Sequence, residues 1–196
     1  GRLWGPTGRW VVLSVTFQVR QAYMSHPIAY KQLAGHLGVE LGDRVEATDL
    51  RQAVLELCRS KGMVLDPADH NTWSSGSFFT NPVLTQEQAD KLPSQAPRFE
   101  VTDHSMIVGT RPAPVVPGLV KTSAAWLIQH AGFGPGFALD DAAPASLSTV
   151  HVLAITNRGN ASAADIEALA KTVIAGVRDK YGLTLVPEPV RVGLDF

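Results

Sequence analysis

One cysteine, few charges and no long apolar run set the outer limits of this 196-residue sequence. Cys58 stands alone, which excludes an intrachain disulfide and fits a reducing, cytoplasmic compartment. It lies among apolar residues at helical spacing, so a buried, inert thiol is expected. Charged residues make up 18% of the chain and the net charge is −1. That balance removes any general electrostatic case for nucleic acid or an anionic membrane surface, although a local anion site stays open. No stretch approaches the roughly 18 apolar residues of a membrane helix, and no signal peptide opens the chain. Repeats and low-complexity segments are absent. Asp66, Asp69 and His70 cluster, but no second group completes a metal shell, so no metal site is expected.

Hydrophobic residues are present at 45%, enough for a globular chain with a real core, as one large domain or two small ones. The opening GRLWGP has no Met and no capping logic, and reads as entry part-way through a domain. Residues 9–20 (RWVVLSVTFQVR) alternate and are rich in β-branched and aromatic side chains, the pattern of a strand. Residues 28–37 suit a short helix stopped by Gly38. Thr48 suits the cap of a second helix to about Ser60, with Leu50, Val54, Leu57 and Cys58 on its apolar face and Lys61-Gly62 as its end. A loop follows to Trp73, then a weak polar helix over 85–92 and short strands at 99–101 and 106–108. Three prolines keep 111–118 irregular or extended. Residues 122–131 suit a helix with Ala125, Leu127, Ile128 and Ala131 inward. The glycine-rich run 132–137 is no phosphate cradle; its aromatics suggest a loop pinned to a surface. Residues 150–156 (VHVLAIT) read as a strand, Ser162 caps the longest helix to about Lys180, Gly182 ends it, and 183–186 reads as a last strand. The order points to an α+β fold, a sheet with helices packed on one face.

The stretch with most chemical content is Trp73-Ser74-Ser75-Gly76-Ser77-Phe78-Phe79-Thr80-Asn81-Pro82. Gly76 permits a turn that other residues resist, and Phe78 and Phe79 can anchor the segment in a core. Ser77 is then either a hydroxyl held rigidly at a cleft or an ordinary turn hydroxyl at the mouth of a strand. A serine hydrolase is the weaker version of the first reading, since no nucleophile elbow or His-acid motif accompanies it.

Four segments resemble one family. They are KGMVLDP at 61–67, GSFFTNP at 76–82, KTSAAWLI at 121–128, and NRGNA at 157–161 followed by a helix and Tyr181-Gly182. Together they are similar to UDP-N-acetylenolpyruvoylglucosamine reductases, from about Trp10 to Arg191. The resemblance implies an FAD- and NADPH-dependent oxidoreductase of bacterial peptidoglycan synthesis. In it, reduced FAD passes hydride to UDP-N-acetylglucosamine enolpyruvate, giving UDP-N-acetylmuramate. It implies residues 1–62 as the C-terminal part of an FAD-binding domain, 63–185 as a substrate-binding domain, and 186–196 as a tail returning to the active site. The N-terminal FAD-binding segment of the same protein is then the missing partner. The family's catalytic arginine, in a Tyr-Arg-x-Ser motif, has no match, because Arg2 falls too late.

By that resemblance Ser77 is the proton donor and Glu188 the catalytic glutamate. Tyr30, Lys61, Asn81 and His130 match substrate-binding positions, with Lys61 also a candidate for NADPH phosphates, and Arg59 and Gly76 match cofactor-binding ones. Tyr30 reads equally as an amphipathic-helix tyrosine, and the plainer alternative for Lys61 is a helix-terminal lysine. His130 stands where many members have glutamine. Glu188 is followed by Pro189-Val190 instead of Val-Arg, which moves a neighbouring arginine contact to Arg191 or removes it. The implied alternative to a reductase is a UDP-sugar binding module without redox activity of its own.

Overall fold

Ser162 accepts from the Asp165 amide while the Asp165 carboxylate accepts from the Ser162 amide, a reciprocal cap that starts the longest helix, α5 (Ala163–Tyr181). Gly182 closes it in the left-handed conformation at φ 68°. Leu169, Ala170, Val173 and Val177 recur on one side of α5 and are fully buried. In the computed structural model, which describes residues 12–103 and 113–190, this stripe is the spine of the core.

Against it lie α4 (Ala124–His130), capped by Ser123, and an antiparallel pair, β4 (Ala145–Leu147) with β5 (Ile155–Asn157). Leu127, Ile128 and Leu147 have no solvent exposure. A second antiparallel sheet has the order β1-β3-β2, from β1 (Val83–Thr85), β2 (Phe99–Thr102) and β3 (Val115–Lys121). The short helix α3 (Gln86–Asp90) leaves β1 through a capping box on Thr85. Two small sheets and packed helices make the fold α+β, though not around one sheet. Ahead of this body, α1 (Lys31–Leu37) and α2 (Ala47–Ser60) pack on each other. Among the described residues no helix is long and apolar enough to cross a membrane.

Several expectations are corrected. Residues 12–20 form no strand and are exposed, Leu13 at 92%. Alternation marks a half-buried strand only where a neighbouring strand takes up the backbone groups, and none of the described strands does so here. Residues 9–11 lie outside the described set, as do 106–108, Arg2 and Arg191. Thr48 lies inside the first turn of α2; Glu46 is the N-cap and makes no side-chain cap bond. The buried residue of α2 is Ala53, whereas Val54 is 40% exposed and Cys58 is only half-buried, so the thiol is not sealed away. On α4 Ala125 and Ala131 pack against the core as expected, Ala124 is fully buried beside them, and Ala131 occupies the C-cap in place of Gly132. Residues 115–121 form β3, the extended alternative for the proline-rich run, with Pro117 inside it. Residues 151–154 turn before the short strand β5, so 150–156 is not one strand. Residues 183–186 are not a strand either, although Leu183 and Leu185 are buried there. The aromatic loop is pinned as expected: Phe133 meets Phe137 edge-on at 4.8 Å and lies over Gly176, where a Cβ would come within 2.3 Å of its ring.

Candidate active site

The turn before Ser77 depends on Gly76, whose φ of 84° is costly for any residue with a Cβ. Its amide donates to Ser74 Oγ at 3.2 Å. Beyond it Phe78 and Phe79 enter the core, Phe79 with 1% of its surface exposed, and Ser77 is left half-buried at the rim. The segment is clamped by main-chain bonds on both edges. The Phe78 amide donates to the Leu153 carbonyl at 2.7 Å, and the Glu188 amide to the Phe78 carbonyl at 2.8 Å. The Thr80 amide donates to the Val186 carbonyl at 3.0 Å, and Phe79 bridges Pro187. The chain around Glu188 therefore runs antiparallel beside Phe78–Thr80, directly after Ser77, and the exposed carboxylate side chain starts from that edge.

On the other edge Ser77 Oγ lies 3.1 Å from His151 Nε2. His151 sits in a turn built from hydroxyl and amide bonds. Ser148 Oγ accepts from the amides of Val150 and His151, both at 3.2 Å, and the Ala154 amide donates to the His151 carbonyl at 2.8 Å. Asn71 Oδ1 holds the same turn by accepting from the Thr149 amide at 3.0 Å and the Thr149 hydroxyl at 3.1 Å. Gly62, at φ 68°, presses on Asn71: a Cβ there would stand 2.8 Å from its carbonyl oxygen. The end of α2 is thus seated on the loop that carries His151. Partial burial, and secondarily the positive charge of Lys61, lower the pKa of His151 below the ordinary histidine value. Both effects favour the neutral ring.

The remaining expected residues distribute unevenly. Lys61 is half-buried, donates to Gln32 Oε1 at 2.9 Å, and lines with Tyr30 and Leu57 a groove of about 370 Å³ between α1 and α2. Tyr30 is 75% exposed at the start of α1, and Arg59 is exposed in the last turn of α2. Asn81 Oδ1 accepts from the Ala124 amide at 2.9 Å, so its side chain helps to start α4, and among the described residues its NH₂ has no hydrogen-bond partner. His130 is tied elsewhere. It stacks on Trp126 at 3.9 Å, Nδ1 donates to the Trp126 carbonyl at 2.8 Å, and the His130 carbonyl accepts from Lys180 Nζ. Ser77, His151, Lys61 and the Glu188 edge come together; His130 belongs to the α4–α5 contact. His151 is the residue missed by sequence reasoning. Its only local signal, a His between valines at 150 and 152, reads as a strand.

Residues 66–192 match the family model described as UDP-N-acetylenolpyruvoylglucosamine reductase, C-terminal domain. Three relatives bearing the name UDP-N-acetylenolpyruvoylglucosamine reductase are similar over nearly the whole chain. The protein from Cutibacterium acnes is 53% identical over 185 residues, covering 94% of this chain and 45% of the relative. That from Streptomyces coelicolor is 50% identical over 188 residues, covering 95% and 47%. That from Thermobifida fusca is 49% identical over 187 residues, covering 95% and 50%. The chain spans about half the length of the curated relatives it matches.

Proposed function

This chain belongs to the UDP-N-acetylenolpyruvoylglucosamine reductase family, and from that premise we propose that it carries the proton-delivery and substrate-binding half of such a reductase, acting in the cytoplasm in peptidoglycan synthesis. The substrate is UDP-N-acetylglucosamine enolpyruvate. In this reading residues 1–62 belong to the flavin side, 63–185 bind substrate, and 186–196 return to the site. One observation carries it: the Glu188 amide bonds to the carbonyl of Phe78, the residue after Ser77, so the backbone brings the segments of the two candidate catalytic residues side by side.

The residues have defined tasks. Ser77 donates the proton to the carbon next to the one that receives hydride. A serine hydroxyl is a feeble acid, and it serves only against a carbanion-like centre held within about 3 Å by a rigid turn. The clamps on Phe78, Phe79 and Thr80 supply that rigidity. Glu188 meets the enolpyruvyl end of the substrate, where charge develops in the transition state. Lys61 and Tyr30 line the groove for the diphosphate, with NADPH phosphates a second candidate partner for Lys61, and the Asn81 NH₂ makes a further substrate contact, while His130 stays in the α4–α5 contact.

FAD and NADPH are the cofactors of this reading. The residues present fit one border of a flavin. Among the described residues nothing but its chain neighbours stands within 4 Å of a Cβ built at Gly76, so the backbone beside Ser77 is approachable by a flat ring. Arg59 offers an exposed cation on α2. When bound, FAD supplies hydride and NADPH replenishes it. In the complete polypeptide, Ser77→Ala is expected to abolish reduction of the enolpyruvyl group while NADPH still bleaches the flavin. Unchanged product formation in that variant sinks the proposal. A wild-type protein without flavin absorbance that still binds the UDP-sugar identifies a binding module instead.

A further inference from the structure

Ser77 spends its proton in every turnover, and the alkoxide left behind is far too basic to persist. Something beside it must stabilise and reprotonate it. The structure places His151 Nε2 at 3.1 Å from Ser77 Oγ. We propose that His151 is a positioning and relay residue for the proton donor: neutral, with its proton on Nε2, it donates to Ser77 Oγ, aims the hydroxyl proton at the substrate, and refills the oxygen from solvent. The inference rests on the reading of Ser77 as the proton donor.

The step balances. The Ser77 O–H bond breaks as a C–H bond forms at the carbanion-like carbon. The His151 Nε2–H bond breaks as a new O–H bond forms on Ser77. Nδ1 takes a proton from a solvent-borne acid, which leaves the ring neutral in its other tautomer, and exchange with solvent restores Nε2–H. No redox partner is consumed beyond the hydride donor.

Two features favour this over the opposite arrangement, in which the imidazole takes the serine proton to make a nucleophile. A nucleophilic serine needs a ring that becomes imidazolium and a carboxylate that holds Nδ1–H. Among the described residues no hydrogen bond ties Nδ1 to a carboxylate, and no buried side-chain nitrogen or oxygen lacks a partner. Nδ1 therefore reaches solvent, as the relay requires. The charged group acting on the ring is Lys61, from the end of α2; Ser77 faces it from the Gly76 turn, and the Ser148 turn contributes no charge. A cation at that place opposes imidazolium, and the relay never forms one. Gly62, wedged against Asn71, holds Lys61 there.

The test is made in the complete, flavin-loaded polypeptide, with flavin reduction by NADPH and flavin reoxidation by the enolpyruvyl sugar nucleotide followed separately. His151→Phe is expected to slow reoxidation by about a hundredfold, the lower range of general acid–base effects. KM should change little, and NADPH-dependent reduction serves as the internal control for folding. His151→Gln keeps a donor near Oγ without a relay, and is expected to regain about tenfold of that loss. Wild-type reoxidation should not fall on acidification in a way that His151→Gln lacks, because protonated His151 still donates. An acid limb present in wild type and missing in His151→Gln makes the ring a base and overturns the inference. Equal reoxidation rates in wild type and both variants overturn it too. If Ser77→Ala is inactive in either case, the proton-donor reading survives that failure; if Ser77→Ala is fully active, both fall.

Discussion

Residues 12–62 and residues 63–190 have much the same share of apolar residues but use them in opposite ways. In the second region one continuous cluster runs from Phe78 through Leu127, Leu147 and Leu169 to Leu185, each buried. In the first, Ile28, Ala34 and Ala53 are the buried apolar residues, while Leu13, Phe17, Val19, Tyr23 and Tyr30 face outward. That region is held by local polar ties instead: the Ser25 amide to the Val45 carbonyl at 2.8 Å, Arg44 to the Ser25 carbonyl, and His36 to Glu56 at 2.9 Å. Apolar content thus says how much surface is available for burial, and topology decides where it is spent. The candidate site follows the division. Ser77, His151 and the Glu188 edge stand on the packed body, and Lys61, with the candidates Tyr30 and Arg59, is delivered by the lightly packed part.

Perturbations should respect this contrast. The largest effect is expected at its heart. Phe79→Ala empties a site 1% exposed and should cost about 3–5 kcal/mol in chemical denaturation. A loss below 1 kcal/mol would mean that the packed body does not depend on its core. An intermediate effect belongs to the junction. Gly62→Ala places a Cβ at φ 68° and 2.8 Å from a backbone oxygen. The left-handed backbone alone costs roughly 1–2 kcal/mol, and the clash adds to it. The variant should also raise the His151 pKa, read by NMR titration, as Lys61 is displaced. A stable variant with an unmoved titration removes the junction from the account.

The smallest effect lies in the outer helices. Gln52 first, and then His36, hold the Glu56 carboxyl below its ordinary value. A depressed carboxyl contributes stability that is present above its unfolded value of 4.5 and lost as pH falls through the folded one. Both partners are solvent-exposed, so the α1–α2 contact should loosen only slightly below about pH 4.5. Far-UV CD of Glu56→Gln, unchanged over that range while wild type declines, is the expected signature.

The legible parts of the fold were those specified by neighbours in sequence. Ser162, Gly182 and Gly38 mark helix ends through bonds spanning three or four residues, and the burial of Phe78 and Phe79 follows from a turn beside them. The parts that misled depend on distant partners. Residues 12–20 alternate like a strand, but no described strand pairs with them. His151 looks like a strand residue until Ser148 and Asn71, remote from each other in sequence, bend its chain toward Ser77. The resemblance brought Ser77 and Glu188 forward together; their common edge is a three-dimensional fact that no local pattern carries.

The pairing of Phe78 with Glu188 also sets an order of events during synthesis. The two segments of that edge lie more than a hundred residues apart, so a ribosome has made most of the core before the second one emerges. At about 5–20 residues per second, the Ser77 turn waits for several seconds with one flank unpaired. Closing so long a loop is then a late step, and the Ser77 turn gains its second flank only after the whole intervening chain has been made.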